Sequence, residues 1–452
     1  MGTPARRNPV LAMLLSLAWP GLGQAYRGEG RRGLRFAMLP LLALLAVGVL
    51  VVLLGPAVFV AYLLVPAYAA LAGLAVLAAA LWWAWAILDA GRVRTNGTVL
   101  AGVAMLAVVG LAAGWAGSVV LSLYQAGQGI SRPIASPSPS PTASGLPTIA
   151  PTGPLGPTLP PTDPPPSPSP SPQLGGRITV LFLGWDLGRG VEGQLTDTIQ
   201  VASFDPDTGQ IAVISLPRDT GQLPLYGGGT WPRKVNELMA YAEAHPDEFP
   251  DGGLGTLERE LEYIIGIPID YYAAIDFDGF REIVDLVGGV DVVLDRPIAD
   301  HTYGWGPDRP RGFFLEPGEH HLDGRTALAY ARSRKGPGNN DWQRARRQQQ
   351  ILLALRHKVN DPAILARLPE LVEAVSRMVR TNAPIEQVPQ IVSILQQSTG
   401  ADAQTYVLKP PGYAQVIPRS EIGRTYMTRL KMDVVAELSV ELFGEESRYF
   451  EP

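Results

Sequence analysis

Hydrophobic and polar positions divide the chain into three zones. From Pro9 to Tyr124 the pattern is long uncharged runs broken by short arginine-bearing segments. Phe36–Leu54 (FAMLPLLALLAVGVLVVLL) carries no charge over 19 residues. At about 1.5 Å per residue it nearly crosses a hydrocarbon core of about 30 Å. Gly55-Pro56 marks a break. Ala57–Leu88 is again uncharged and too long for one straight span, so it reads as an external turn followed by a span over Ala67–Leu88. Thr98–Tyr124 reads as a third span. The first apolar stretch, Pro9–Tyr26, fits a short span, a re-entrant piece or an interfacial helix, and the pattern leaves all three open. A cleavable signal peptide is not expected, because further spans follow and no clear small-residue cleavage site is present.

Arginine placement predicts orientation. The loops Arg27–Arg35 and Asp89–Asn96, the latter with Arg92 and Arg94, carry the positive charge that stays cytoplasmic. The span Thr98–Tyr124 then exits to the outer face, and everything after Gln125 is expected to be extracytoplasmic. Ser131–Pro172 alternates Pro with Ser and Thr (SPSPSPTASG, TDPPPSPSPSP) and has almost nothing to bury, so it reads as an extended spacer. The predicted organisation is a multi-span membrane anchor over 1–124, a Pro/Ser/Thr-rich linker over 125–176, a catalytic domain over 177–400, and a closing segment of the same domain over 401–452.

The third zone changes periodicity again. Ile178–Gly184 (ITVLFLG) is a continuous apolar run of the kind found in a strand buried on both faces. Thr198–Phe204 follows as a strand, DPDTG (205–209) has hairpin-turn chemistry, and Gln210–Ser215 pairs back. Leu254–Ile265 has helical spacing, Tyr271–Ile275 is strand-like, Phe280–Val287 is helical, and Asp291–Leu294 is a strand. Asp341–Val359 and Ala363–Thr381 are predicted as long helices, and the C-terminal stretch as a closing strand and helix. Strands alternating with helices predict a layered α/β (α-β-α) domain with a mixed sheet, preceded by an α-helical membrane domain.

Composition narrows the chemistry. The chain of 452 residues has no cysteine, which excludes disulfides, thiolate metal sites and a cysteine nucleophile. Its net charge of −5 gives no sign of a nucleic-acid-binding protein. The five histidines are scattered without ligand spacing, and no P-loop, dinucleotide glycine pattern or nucleophilic serine motif is present. Against this background YARSRKGPGNNDWQRARRQQQ (330–350) holds six basic side chains and one acid. Asp341, Arg344 and Gln348 fall on one helical stripe. Arg332 and Arg334 are two apart on a segment read as extended. Arg218 in LPRDT ends a strand. Three chain segments can thus aim guanidinium groups at one anion, and planar bidentate donors suit phosphate oxygens. A solvated basic loop is the bland alternative, and it is the expected state of Arg346 and part of Arg347. Asp186 and Asp197, at strand ends near such a site, have the oxygen chemistry of Mg²⁺ (or Mn²⁺) ligands, or are turn and cap residues.

These motifs carry a resemblance. LFLGWD, TDTIQVASFDPDTGQIAVISLPRDT, KVNEL, IGIPIDYYAAIDFDGFREIVDLVGGVDV, LDGRTALAYARSR and DWQRARRQQQILLAL occur in the order of the LytR–CpsA–Psr family, over about residues 177–362 with helices to about 400. The multi-span N-terminus departs from the single span usual in that family. PGLGQAYRGEGRRGL is separately similar to the turn of small two-helix membrane hairpins. The family resemblance implies a membrane-anchored phosphotransferase. Such an enzyme moves a glycopolymer, as its sugar phosphate, from a polyprenyl pyrophosphate carrier to a hydroxyl of peptidoglycan or another envelope acceptor.

At matched positions the resemblance implies pyrophosphate binding by Arg218, Lys234, Arg332, Arg334, Arg344 and Gln348. It implies metal binding by Asp186 and Asp197, and a catalytic set of Asp197, Arg218, Arg332, Arg334, Asp341 and Arg344. Asp219 is expected to orient, and Asn236 to sit near the site. Leu195 stands where an arginine commonly precedes the TDT element, with Arg189 or Arg233 as substitutes. Tyr271–Ile275, Ile283–Val287 and Ile351–Leu355 are candidates to line a lipid slot, or are simply core. Two other functions remain open: a pyrophosphohydrolase, in which water replaces the acceptor, and a regulatory envelope protein without turnover.

Overall fold

A computed structural model describes residues 8–92, 95–130, 176–185, 195–305, 311–358, 361, 364, 367–397, 403–423 and 426–451. The proline-rich spacer and the candidates Asp186 and Arg189 lie outside the described residues. The chain forms two compact units.

The N-terminal unit is helical: α1 (Pro9–Ala18), α2 (Leu22–Tyr26), α3 (Gly30–Leu54), α4 (Pro56–Leu64), α5 (Pro66–Ala90) and α6 (Asn96–Ile130). Among the described residues three helices are long and apolar enough to cross a membrane: α3, α5 and the Asn96–Gln125 part of α6. Leu44, Leu45, Val52 and Leu53 of α3 point outward, as lipid-facing side chains do. The undecided Pro9–Tyr26 stretch resolves into two short helices separated at Gly21, whose φ of 98° is left-handed. At 10 and 5 residues neither spans. The predicted external turn at Ala57 is instead the nine-residue α4.

Glycine lets α2 and α3 touch through their backbones. A Cβ on Gly33 would lie 2.6 Å from the carbonyl oxygen of Gly21. The polar groups carried into this contact satisfy one another. Ser16 Oγ donates to Gln24 Oε1 at 3.1 Å, and Gln24 Nε2 donates to Asp89 Oδ2 at 3.1 Å and to the Ala86 carbonyl at 2.9 Å. Asp89, buried near the end of α5, also accepts Arg32 at 2.6 Å and Arg92 at 2.5 Å. A buried carboxylate survives only with such partners. Replacing Asp89 by Ala removes one of two acceptors of Gln24 and leaves Arg32 and Arg92 only their long pairs with Glu29, and is expected to lower the melting temperature of the detergent-solubilised protein. Glu29→Ala, at a residue whose ion pairs with Arg27, Arg32 and Arg92 are 3.8 to 3.9 Å long, is expected to leave it nearly unchanged. Equal melting of the wild type and Asp89→Ala would contradict this account.

The second unit is built on a six-stranded sheet. Its strands are β1 (Ile178–Trp185), β2 (Thr196–Phe204), β3 (Ile211–Ser215), β6 (Tyr271–Asp276), β11 (Val379–Thr381) and β12 (Ala403–Val407). Between β3 and β6 lie the hairpin β4 (Gly221–Pro224) and β5 (Thr230–Lys234), then α7 (Leu238–Ala244) and α8 (Gly252–Ile265). Between β6 and β11 come α9 (Phe277–Leu286), β7 (Val290–Leu294), β8 (Ile298–Asp300), β9 (Phe313–Leu315), β10 (Gly318–Leu322), α10 (Gly324–Arg332), α11 (Asp341–Lys358) and α12 (Leu368–Met378). After β11 follow α13 (Val388–Gln397) and, past β12, β13 (Ala414–Val416), α14 (Arg419–Ile422), β14 (Thr428–Leu430) and α15 (Met432–Phe443).

The sheet order is β11-β6-β1-β2-β3-β12. Strands β1, β3, β6 and β12 run one way, β2 and β11 the other. Successive side chains alternate between two buried faces. Leu181, Leu183, Ile199, Val201, Ala212 and Ile214 pack with α7, α8 and α15. Phe182, Ala202, Phe204, Ile211 and Val213 pack with Leu352 and Leu353 of α11. The predicted α-β-α layering is therefore observed, and the absence of a polar face on β1–β3 is its cause. A third core joins α9, α10 and α11 to β7 around Val284, Tyr330 and Ile351.

The predicted helix over Ala363–Thr381 ends early. Val379–Thr381 is an edge strand against β6, fixed by Asn382 Oδ1, which accepts the Tyr272 amide at 2.8 Å. β-branched Val379 and Thr381 suit that role better than a helix end.

Candidate functional site

Charged side chains gather where β1, β3 and β6 end and β2 begins, the usual ligand-binding end of such a sheet. Asp197 is the second residue of β2, and Arg218 lies three residues past β3. They meet because Leu216 pairs back, its amide donating to the Ile199 carbonyl at 3.0 Å. Arg218 Nη1 donates to Asp197 Oδ1 at 2.6 Å.

Helix α11 supplies the other half. Asn340 caps it by accepting the Trp342 and Gln343 amides at 3.0 Å, which sets Asp341 on the first turn. Gln349 fastens the helix to the sheet, donating to Ser215 Oγ at 2.9 Å and to the Tyr406 carbonyl at 2.8 Å. Arg344, only 5% exposed, then brings Nη2 to 2.9 Å from Asp341 Oδ1 and 3.4 Å from the Asp197 carbonyl. Arg218 Nε stands 3.6 Å from the same Asp341 oxygen.

These approaches to Asp341 are close but misdirected. Both its carboxylate oxygens, with Arg218 Nε and Arg344 Nε, are buried and have no hydrogen-bond partner among the described residues. Burial pushes the Asp341 carboxyl above its ordinary range; Arg344 and Arg218 oppose this, while Asp219 and Asp197 reinforce it. Burial likewise lowers the Arg344 guanidinium, and Asp341 opposes. Buried polar groups are normally satisfied, so this cluster is electrostatically poised for a further charged group. Lys234 closes one side, paired with Asp219 as an orienting partner. Asn236 is buried behind it, and its backbone carbonyl accepts Thr196 Oγ1 at 3.5 Å.

Arg332 and Arg334 sit differently from expectation. Arg332 is the last residue of α10, with Arg334 just beyond, so the segment is a helix end and not an extended strand. The side chains of both are exposed. The Arg332 guanidinium lies 4.1 Å from the Phe277 ring centre, immediately after β6. Gln348, one turn along α11 from Arg344, donates to the Ala331 carbonyl at 3.2 Å and so brings this helix end beside the cluster.

The residue missed in the sequence is Arg347. Expected to be partly solvated, it is 6% exposed and holds the loop carrying Arg334. Its Nε donates to the Tyr330 carbonyl at 2.7 Å, Nη1 to Asn339 Oδ1 at 2.9 Å, and Nη2 to the Ser333 carbonyl. Burial brings its pKa down to about 10. Asp300 holds the loop from the other side, accepting Ser333 Oγ at 3.0 Å and the Arg334 and Lys335 amides at 3.3 and 3.2 Å. The three-residue step from Arg344 to Arg347 was the available signal; nothing in the sequence marked Asp300.

Arg233 does not substitute in the cluster, for it pairs with Glu237 at 3.9 Å and lies over Tyr241. The three candidate lipid-slot stretches are dispersed over separate cores: Tyr272 and Ala274 in one, Val284 and Ile351 in another, Leu352 and Leu353 in a third. Among the described residues no group of three or more His, Cys, Asp or Glu is arranged around one point.

The LytR_cpsA_psr family model matches residues 162–421, more than half of the chain. The chain belongs to the LytR–CpsA–Psr family. Within the family it is 35% identical over 212 residues to the polyisoprenyl-teichoic acid–peptidoglycan teichoic acid transferase TagV of Bacillus subtilis (strain 168), covering 46% of this chain and 50% of that protein. It is 30% identical over 212 residues to the regulatory protein MsrR of Staphylococcus aureus (strain COL), covering 46% and 57%. The chain thus spans about half the length of these curated relatives. The crystal structure of B. subtilis TagV superposes with a TM-score of 0.48 at 26% identity, over 62% of this chain and 99% of that one.

Arg347→Leu is expected to destabilise the second unit by about 3 kcal/mol, since it leaves two buried carbonyls unpaired. Limited proteolysis should then cut first within 333–339. A variant that melts like the wild type, with that loop still protected, would remove Arg347 from this role.

Proposed function

We propose that this chain is a membrane-anchored phosphotransferase working outside the cytoplasmic membrane. It transfers a glycopolymer, as sugar phosphate, from a polyprenyl pyrophosphate to a hydroxyl of peptidoglycan or another envelope acceptor. The observation that carries the proposal is the partly buried Arg218–Asp197–Asp341–Arg344 cluster, with guanidinium and carboxylate atoms left without hydrogen bonds among the described residues. The relative TagV, named for joining teichoic acid from a polyisoprenyl carrier to peptidoglycan, supports the same class.

In this reaction the acceptor oxygen attacks the sugar-side phosphorus. The bond from that phosphorus to the bridging oxygen breaks, and polyprenyl phosphate leaves with the electron pair. Arg218 and Arg344 hold the diphosphate from the sheet side, and Arg332 and Arg334 from the end of α10. Lys234 and Gln348 complete the set. Fixed positive charge around a transferring phosphoryl group is the main source of catalysis in such chemistry. The proton of the acceptor hydroxyl passes to Asp341, whose burial raises its affinity for it.

Mg²⁺ is the cation this reading assigns to the site. Carboxylate oxygens are its preferred ligands, and it is commonly held by one or two of them together with substrate phosphates, so a cage of three acids is not required. Asp197 would hold it, with Asp186 as the second ligand, and it would neutralise phosphate charge.

The full chain in detergent, given a polyprenyl-pyrophosphate-linked disaccharide, Mg²⁺ and peptidoglycan fragments, should release polyprenyl phosphate only with the acceptor. Arg332→Ala and Asp197→Ala should each cut the rate by about 100-fold or more while the proteins stay folded. Release without acceptor would instead favour the pyrophosphohydrolase. Binding with no release would favour a regulatory role, the one for which MsrR is named.

The orientation proposal rests on arginine. Arg27, Arg31, Arg32 and Arg35 precede or open α3, and Arg92 follows α5, so three crossings put the second unit outside. Alkaline phosphatase fused after Tyr124 should be active; an inactive fusion beside an active cytoplasmic reporter at the same point would reverse the topology.

A further inference from the structure

Helix α9 has two faces. Phe280 and Val284 turn into the core shared with α10 and α11, which leaves Asp278, Arg281, Glu282 and Asp285, at i, i+3, i+4 and i+7, as a charged stripe on the other side. That stripe is one wall of a cavity of about 500 Å³, open to solvent. The other walls bring in Arg325 from the first turn of α10 and Arg367 from just before α12.

These walls are fixed to one another. Gly324 lets α10 rest on α9, since a Cβ there would lie 2.1 Å from the Arg281 carbonyl oxygen, and the Gly324 amide donates to Asp285 Oδ1 at 2.7 Å. Arg325 Nη2 donates to the Trp305 carbonyl at 3.0 Å, with its guanidinium 5.6 Å from the centre of that indole. Arg367 Nη1 donates to the Leu286 carbonyl at 3.0 Å.

The chemistry of the cavity is not that of a diphosphate clamp. Three guanidiniums face three carboxylates, so the formal charge of its lining is zero, whereas a polyanion site needs an excess of positive charge. Its own ion pairs lie at the surface: Arg281 bonds Asp278, whose side chain is 81% exposed. Such pairs are weak and exchange readily for the charges of a ligand. The contacts above also engage only part of each guanidinium's five N–H donors. A ligand that matches this lining bears carboxylate and ammonium groups side by side, as a peptide does.

The cavity also lies close to the reaction site. Arg325 and Arg332 are seven residues apart on α10, on one face and about 10 Å along its axis. Phe277, whose ring centre is 4.1 Å from the Arg332 guanidinium, is one turn of α9 from Arg281. About three residues of extended peptide cover such a distance.

We propose that this cavity binds the peptide of the peptidoglycan acceptor, its carboxylates on Arg281, Arg325 and Arg367 and its free amine on Glu282 and Asp285. This rests on the phosphotransferase reading and adds which part of the acceptor the enzyme recognises. The peptide anchors the fragment, and the sugar that carries it brings a hydroxyl to the diphosphate held by Arg332.

The test is a binding titration on the full chain in detergent, without donor or Mg²⁺. The probes are a peptidoglycan disaccharide carrying its peptide with a free side-chain amine, the same disaccharide with the peptide removed, and the peptide alone. Removing the peptide should weaken binding of the disaccharide about tenfold or more, and the peptide alone should bind. Arg281→Ala should weaken binding of the peptide about tenfold, the effect of one charge-assisted contact. Glu282→Gln should weaken binding of the free peptide but not of the peptide with its amine acetylated. Equal affinity for the disaccharide with and without its peptide would overturn the proposal, as would a peptide that binds neither protein or binds Arg281→Ala like the wild type. A phosphate-bearing glycan that binds more tightly than the peptide, and loses affinity in Arg281→Ala, would make the cavity an anion site and overturn it too. Normal transfer by a protein that does not bind the peptide removes the cavity and leaves the reaction. Peptide binding by a protein that shows no transfer keeps the cavity and removes the reaction.

Discussion

Burying the charge of Arg347 is the constraint on which the rest of the site depends. A guanidinium sealed inside a core demands acceptors in its own plane, and among the described residues backbone carbonyls at the end of α10 and the Asn339 side chain supply them. The chain from Tyr330 to Asn339 therefore has one arrangement, and Arg332 and Arg334 are placed by it. Asp300 accepts from the opposite side of the same loop, so the two buried charges of opposite sign share one set of peptide groups. Neither needs to touch the other directly.

Helix α11 turns that constraint into a site. Along a few turns it carries Asp341 and Arg344 toward the strand ends, Arg347 and Gln348 toward α10, and Gln349 into the sheet. Each face has a different partner, and sheet attachment through Gln349 fixes rotation about the helix axis. A small rotation would move Arg344 away from Asp197 and Arg347 out of its carbonyl cradle together. Positioning of the charged residues is thus a property of one rigid body and not of independent side chains.

Much of this was legible in the sequence. The uninterrupted apolar run in β1 predicted a strand covered on both sides, and residues 181–183 do alternate between two cores. The stripe Asp341, Arg344 and Gln348 was expected to share one helical face; Asp341 and Arg344 turn to the strand ends, and Gln348 to the end of α10. Periodicity says which residues share a face but not what lies opposite, so Arg347 was expected to be partly solvated although it is buried. The proximity of Arg332 to the helix end was hidden for a similar reason: Ala-Tyr-Ala supports a strand or a helix equally, and the packing of Tyr330 and Ile351 in one core decides for helix. The approach of the C-terminal strand to the Asp219 backbone could not be foreseen, because it depends on a bridge between residues more than two hundred positions apart.

The polar contacts of the N-terminal unit also impose an order on its making. Gln24 and Arg32 leave the ribosome before their partner Asp89, which lies near the end of α5. Until α5 has been synthesised, the Gln24 amide and the Arg32 guanidinium lack Asp89, the acceptor they share. The polar contact among α2, α3 and the end of α5 therefore closes only once α5 is present, and the unit's internal hydrogen bonds depend on its penultimate long helix.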